Sequence, residues 1–348
     1  MKSLVFRSPL GISLRVQRRV PSVLLILTII TLAAMVINTL VGEYPTPPLI
    51  VIKTVLGIDT GNPDYAFVIN TLRLPRIITA CLVGMALAIS GTIMQGITRN
   101  PLADPGIIGV NAGASLAAVS LIVLLPSVPV GFLPLSAFGG ALLTSILIYF
   151  LSWDRGTHPI RLILIGVGIS AVAGAFTSLM ITFGNIYDVS QALVWLAGSV
   201  YGRTWEQVFS LLPWLAVFIP LSLILAPQLN ALNLGDDIAK GLGSRVEWQR
   251  SLLLLISAAL SGSAIATAGT IGFVGLIAPH IGRQLVGGNH QGLMPVTGMI
   301  GAMIVVLSDF VGRTIFAPIE LPCGIVTAVI GAPYFVYLLI QSRKTGNG

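Results

Sequence analysis

Charge is the scarcest property of this sequence. Of 348 residues, 12 are acidic and 19 basic, only 9% in all, where a soluble protein of ordinary composition carries roughly a quarter. So few charged side chains cannot coat a globule of 36.5 kDa, which excludes a soluble enzyme. An apolar content of 55% excludes a disordered chain. Cysteine is nearly absent: Cys81 and Cys323 lie far apart in apolar surroundings, excluding a disulfide scaffold and reading as small packing residues. Catalytic patterns are missing as well. The chain contains no GxxxxGK[ST], no HExxH, no GxSxG and no paired carboxylates at helical spacing. It therefore has no phosphate cradle, zinc site or serine nucleophile of the familiar kinds. His158, His280 and His290 are too scattered to hold a metal. No catalytic residue, metal or cofactor is expected, and the chain does not read as an enzyme.

What the sequence does have is long uncharged runs, with a mean hydropathy of +0.94. A helix needs about 20 mostly apolar residues to cross a bilayer, and runs of that order recur from 21–41 to 324–340. They are continuous rather than alternating, so barrel strands are excluded. The stretch 251–282 holds no charge and would make a helix of about 48 Å. Gly269 and Gly272 offer a break, dividing it into a full helix at 251–270 and a short one from 271.

Charge parity sets the count. Lys2, Arg7, Arg15, Arg18 and Arg19 precede the first span, and Arg343 and Lys344 follow the last. Both flanks are therefore expected in the cytoplasm, and the number of spans must be even. Ten spans place 14 of the 19 basic residues inside. The net charge of +7 follows from this one-sided distribution, so no nucleic-acid partner is expected. The first span reads as an uncleaved helix. Its run is too long for a signal peptide, and Gly42-Glu43-Tyr44-Pro45 is a poor cleavage site.

The reading is of one integral domain over 1–348, with a cytoplasmic tail at 1–20 and a polar inner loop at 227–250. In that loop Asn233 is expected to cap a short surface helix whose first turn holds Asp236 and Asp237, with Gly241 and Gly243 ending it. Gly91-Thr92-Ile93 before Pro101 recurs as Gly269-Thr270-Ile271 before Pro279, a faint inverted repeat of the kind transporters carry. Small pairs one turn apart, Gly84/Ala88, Gly109/Gly113, Gly174/Ser178 and Gly298/Ala302, predict close helix packing.

Ionisable groups inside the spans are rare, which disfavours a proton relay. Asp309 stands four residues before Arg313, the spacing of a local ion pair. Arg73 and Arg76 flank Leu74-Pro75 at the outer entrance of the second span. They read either as snorkelling to lipid headgroups or as docking points for carboxylates, which arginine grips bidentately.

Leu72-Arg73-Leu74-Pro75-Arg76, Asn100-Pro101-Leu102-Ala103-Asp104-Pro105-Gly106, Gly272-Phe273-Val274-Gly275-Leu276-Ile277-Ala278-Pro279-His280 and Glu320-Leu321-Pro322-Cys323-Gly324 together resemble the FecCD family. With Leu234-Gly235-Asp236-Asp237 and Leu242-Gly243, the resemblance runs in order over about 70–335. Its members are permease subunits of ABC importers for ferric siderophores, haem and vitamin B12.

The resemblance implies an all-α integral membrane subunit of ten transmembrane helices, the type II importer permease fold, in the bacterial inner membrane. It implies two cytoplasmic ATPases, a periplasmic or lipid-anchored binding protein, and a second permease copy or paralogue. By position, Arg73, Arg76 and Arg313 match the arginines that meet the binding protein. Leu234, Gly235, Asp236, Asp237, Ala239, Leu242 and Gly243 match the segment that couples to the ATPase. Asn100 and Leu102 match the loop that closes the cytoplasmic end of the path, whose other half near Thr157–Arg161 cannot be matched residue by residue. A ferric siderophore is the expected substrate, with vitamin B12 or haem as alternatives. A sodium-coupled carrier, which needs no ATPase, and a membrane scaffold are the readings from other classes. The surface helix in 227–250 favours the importer over both.

Overall fold

In hydrocarbon a backbone amide finds no partner but another amide, so the charge-free runs become helices. The computed structural model describes residues 3–7, 13–42, 44, 46–154, 156 and 158–345. The tail carries an antiparallel hairpin of β1 (Ser3–Arg7) and β2 (Ser13–Gln17), and the rest of the described chain is essentially helical. α1 (Arg19–Leu40) is followed by the short α2 (Pro48–Val55) and α3 (Pro63–Ala66). α3 continues through a π-helical stretch, Phe67–Arg73, into α4 (Leu74–Thr98). Next come α5 (Val110–Leu124), α6 (Leu133–Ser152) and α7 (Pro159–Phe183). α8 (Ile186–Leu196) leads into α9 (Trp205–Ile224), followed by α10 (Ala226–Asn233) and α11 (Asp236–Gly241). The chain closes with α12 (Val246–Ala268), α13 (Val274–Val286), α14 (His290–Thr314) and α15 (Cys323–Thr345).

Among the described residues, eight helical segments are long and apolar enough to cross a membrane. The shortfall from ten lies in α5, of 15 residues, and α13, of 13.

α4, α12 and α14 form the centre and are buried along most of their length. Two pairs of facing glycines explain how closely α4 packs on α14 and on α13. A Cβ on Gly84 would fall inside the carbonyl of Gly301, and one on Gly91 inside that of Gly275. Hydroxyls complete the seam: Ser90 Oγ meets Ser257 Oγ at 2.8 Å and Thr92 Oγ1 donates to Thr297 Oγ1 at 3.1 Å. Gly113 packs as tightly on Gly140, whereas Gly174 on α7 has nothing within 4 Å and serves no packing inside this chain.

The long uncharged stretch breaks between Ala268 and Val274, close to where Gly269 predicts it. Gly269 (φ 73°) and Phe273 (φ 66°), rather than Gly272, take the left-handed conformation. The Ala268 carbonyl freed by the break accepts the Ser199 amide at 2.7 Å, so this buried acceptor is satisfied.

Two further expectations are corrected. Asn233 does not cap the surface helix; it ends α10, and α11 starts after Gly235 (φ 115°) with no side-chain cap. Asp236 and Asp237 do occupy the first turn, and Gly243 (φ 81°) follows the end. The repeat is not structural: Gly91-Thr92-Ile93 lies within a continuous helix, while Gly269-Thr270-Ile271 is the break itself. α8, with Asn185 accepting the Tyr187 amide at 3.0 Å, lies between the long helices α7 and α9.

Candidate functional site

At one end of the bundle the structure brings Arg73, Arg76 and Arg313 around one cavity of 320 Å³, lined also by Tyr44, Tyr201 and Glu320. The three arginines are engaged differently. Arg73 is buried and turned inward, its Nη1 donating to Thr39 O (2.7 Å) and Thr46 Oγ1 (2.9 Å) and its Nη2 to Tyr44 O (2.6 Å). It clasps the segment after α1. Arg313 Nη2 donates to the carbonyl and the side-chain oxygen of Asn38, in the last turn of α1, where carbonyls lack helical partners and a cation is favoured.

Arg76 makes the ion pair that Arg313 was expected to make. Its Nε lies 3.1 and 3.0 Å from the two carboxylate oxygens of Asp309, and its Nη2 lies 2.8 Å from Oδ1. Nη1 reaches Glu320 at 2.9 Å, and the guanidinium lies over the Tyr201 ring at 5.4 Å. The Asp309–Arg313 pair is therefore corrected: Asp309 faces α4, and Arg313 is drawn off by the end of α1. Arg203, which the sequence reading passed over, lines the same cavity. Its Nε is buried without a hydrogen bond, and burial lowers its pKa.

At the opposite end, α4 stops at Arg99, whose left-handed backbone (φ 54°) turns the chain out of the helix. Asn100 Oδ1 accepts the Leu102 amide (2.9 Å), and Asn100 O accepts that of Ala103 (3.1 Å). These bonds make a tight turn of the loop that holds Asn100 and Leu102. Asp104 ends it by accepting the Gly106 amide at 2.9 Å. Burial raises the pKa of this carboxyl, against the opposing pull of that amide. Thr157 of the other expected half lies outside the described residues, while Arg161 pairs with Asp154 at 3.0 Å.

Beside this turn lies α11. Its buried side holds Ala239, whereas Ile238 and the C-cap Leu242 are 55% and 65% exposed. These two stand four residues apart on one face, and Leu234, 59% exposed, precedes the Gly235 break before α11. Asp236 Oδ1 receives Arg99 Nη2 at 2.9 Å and Arg250 Nη2 at 2.7 Å. α10 is fastened to the start of α14 through Asn230 Oδ1, which accepts His290 N at 2.9 Å. Arg99, Arg250 and Asn230 are thus site neighbours that the sequence reading missed. Arg99 adjoins the quoted Asn100 motif, but nothing local marks the other two. Among the described residues no group of three or more metal-ligating side chains gathers.

The match to family models decides what this arrangement belongs to: residues 27–341 fit the FecCD transport family. The chain belongs to the FecCD family. It is 43% identical over 332 residues to the Fe(3+)-citrate import system permease protein YfmE of Bacillus subtilis, covering 95% of this chain and 98% of that one. It is 43% identical over 283 residues to the Fe(3+) dicitrate transport system permease protein FecD of Escherichia coli, covering 81% and 88%. An inward-facing structure of a metal-chelate type ABC transporter superposes with a TM-score of 0.83 at 34% identity, covering 92% of this chain and 99% of that one. This FecCD chain is accordingly a multi-pass membrane transport subunit, and its family leaves ATP hydrolysis to a separate subunit.

Proposed function

We propose that this FecCD chain is the permease subunit of a binding-protein-dependent ABC importer for a ferric chelate. The observation that carries the reading is the exposure of three large apolar side chains in and beside α11, namely Leu234, Ile238 and Leu242. Three large apolar side chains on a polar surface loop suit a protein partner, and an ATPase cleft is such a partner. The iron chelate comes from the relatives, whose names specify Fe(3+)-citrate and Fe(3+) dicitrate.

In this reading α5 and α13 also cross, giving ten spans of the type II fold, with both termini and α11 in the cytoplasm. α13 crosses as the short half of a broken helix, inside protein rather than against lipid. The arginine cavity then faces the binding protein. A carboxylate arriving there competes with Glu320 for Arg76 Nη1, while Asp309 keeps the guanidinium aimed. Two ATPases and a second permease, a copy or a paralogue, complete the machine. ATP-driven closure of the ATPases carries α11, the halves rock around the path, and the Asn100–Leu102 turn closes behind the substrate. The cycle is driven by the differential affinity of ATP for one arrangement.

The test is gentle extraction of the tagged chain from its own membrane, mass spectrometry of what accompanies it, and uptake of ⁵⁵Fe-citrate by proteoliposomes of that complex. A stoichiometric P-loop ATPase together with ATP-dependent uptake is expected. A folded chain that emerges alone, under conditions that keep a control ABC complex whole, refutes the proposal.

A further inference from the structure

Asp236 stands where three parts of the molecule meet. It belongs to the first turn of α11, and one of its oxygens, Oδ1, is shared by two guanidiniums from different helices. Arg250 of α12 approaches to 2.7 Å and its side chain is only 2% exposed. Arg99, the residue that ends α4, approaches to 2.9 Å with a side chain 37% exposed. Arg250 also reaches Glu247 at 3.2 Å. One partner is thus embedded in the bundle and the other sits on the loop of Asn100 and Leu102.

We infer that Asp236 is the positioning residue that transmits displacement of α11 to the Asn100–Leu102 turn, with Arg250 as the fixed point and Arg99 as the moving contact. The inference rests on the importer reading, in which α11 seats an ATPase. Three features of the geometry support it. First, α11 is a six-residue body bounded by Gly235 at φ 115° and Gly243 at φ 81°. Side chains rarely adopt these conformations, so both ends are joints that only glycine makes easily. Second, Arg99 is a non-glycine residue held at φ 54°. That conformation is unfavourable for any residue with a side chain and persists only where the surroundings hold it. The bond to Asp236 is one of the holds. Third, Arg99 is bonded in sequence to Asn100, whose side chain closes the turn on Leu102. When α11 moves, Arg99 must follow or lose its acid, and either event alters the backbone angle from which the turn springs. An ordinary surface ion pair contributes little. This one differs because the buried Arg250 fixes where Asp236 can be.

Asp64 of α3 is exposed and enters none of these bonds, so it supplies a control of equal charge away from α11. The experiment uses the whole importer in proteoliposomes and compares Arg99→Gln, Arg99→Lys, Asp236→Asn and Asp64→Asn. Three quantities are measured: ATPase subunit retained per permease, ATP hydrolysed, and ⁵⁵Fe-citrate delivered per ATP. Arg99→Gln and Asp236→Asn are expected to keep the ATPase bound and hydrolysing while delivery per ATP falls about tenfold, on the scale of ordinary coupling free energies. Arg99→Lys should recover part of it, and Asp64→Asn should match the parent. Should Asp236→Asn disturb folding because Arg250 loses one of its two acids, Arg99→Gln still decides, since its side chain is partly solvated. Unchanged delivery per ATP in Arg99→Gln overturns the inference. So does parallel loss of ATPase and uptake, which would make the pair part of the ATPase seat. Failure of the unaltered chain to retain any ATPase is a separate result and refutes the importer reading instead.

Discussion

Removing Asp309 and removing Glu320 each deprive Arg76 of one acid, yet the two losses differ in kind. The Asp309 and Arg76 side chains are 3% and 12% exposed, and three of the guanidinium contacts go to Asp309. Breaking a buried pair by truncating one partner costs about 3–5 kcal/mol, because a charge is left inside without its counter-charge. Glu320 still contacts Arg76 Nη1 at 2.9 Å, so Asp309→Ala belongs at the low end, about 3 kcal/mol. The Glu320 side chain is 34% exposed, and solvent screens its pair to about 0.2–1 kcal/mol. Replacing both partners with leucine, Arg76→Leu with Asp309→Leu, removes the buried charges together and recovers most of the loss. The assay is reversible unfolding of the purified chain in mixed micelles by titration with sodium dodecyl sulfate, followed by the emission of its five tryptophans. Equal losses for Asp309→Ala and Glu320→Ala, or a leucine pair no better than the single alanine, would refute the assignment of Asp309 as the main partner of Arg76.

Further outcomes follow from the same physics. Gly91→Val should prevent α4 from reaching α13 and cost about 1–3 kcal/mol or more through overpacking. Gly168→Ala on α7, with nothing within 4 Å, should be tolerated; folded yield by fluorescence-detected gel filtration distinguishes them. The carboxyl of Asp104, raised by burial, holds its proton more firmly folded than unfolded. Stability is therefore lost as pH rises through the carboxylate range. Asp104→Asn, which keeps the oxygen that accepts the Gly106 amide, should remove that part of the slope when unfolding is compared from pH 4 to 7. Leu242→Asp, at a side chain 65% exposed, should leave unfolding within about 0.5 kcal/mol of the parent. The same variant should release the ATPase from the purified complex.

Sequence made legible whatever is written in consecutive residues. The spans show as stretches without charge, the break after Ala268 as a glycine in a helix too long for the bilayer, and the acidic first turn of α11 as two adjacent aspartates. The arginine cluster could be anticipated because Arg73, Arg76 and Arg313 carry charge where charge is costly. What escaped depends on distant partners. Asp309 has a neighbour of the right sign four residues away, and helix spacing alone favours that neighbour. The fold chose Arg76 because α4 and α14 touch through Gly84 and Gly301, a contact between backbones that no side chain announces. Arg250 looks like one more basic residue on the inner side until α11 packs over it. Asn233 has the chemistry of a cap, but α10 continues through it and hands the start of α11 to a glycine.

The long reach of the Arg76–Asp309 pair also bears on how the protein is made. The partners are 233 residues apart, so at a synthesis rate of ~5–20 residues per second the arginine precedes its aspartate by about 10–50 s. Through that interval α4 resides in the bilayer with its cation uncompensated, resting at headgroup depth where the flexible stem lets the guanidinium reach water. Insertion of α4 is therefore separated in time from its neutralisation. The last quarter of the nascent chain, arriving with α14, draws the first quarter into register, and a ribosome that stops before Asp309 leaves the central seam open.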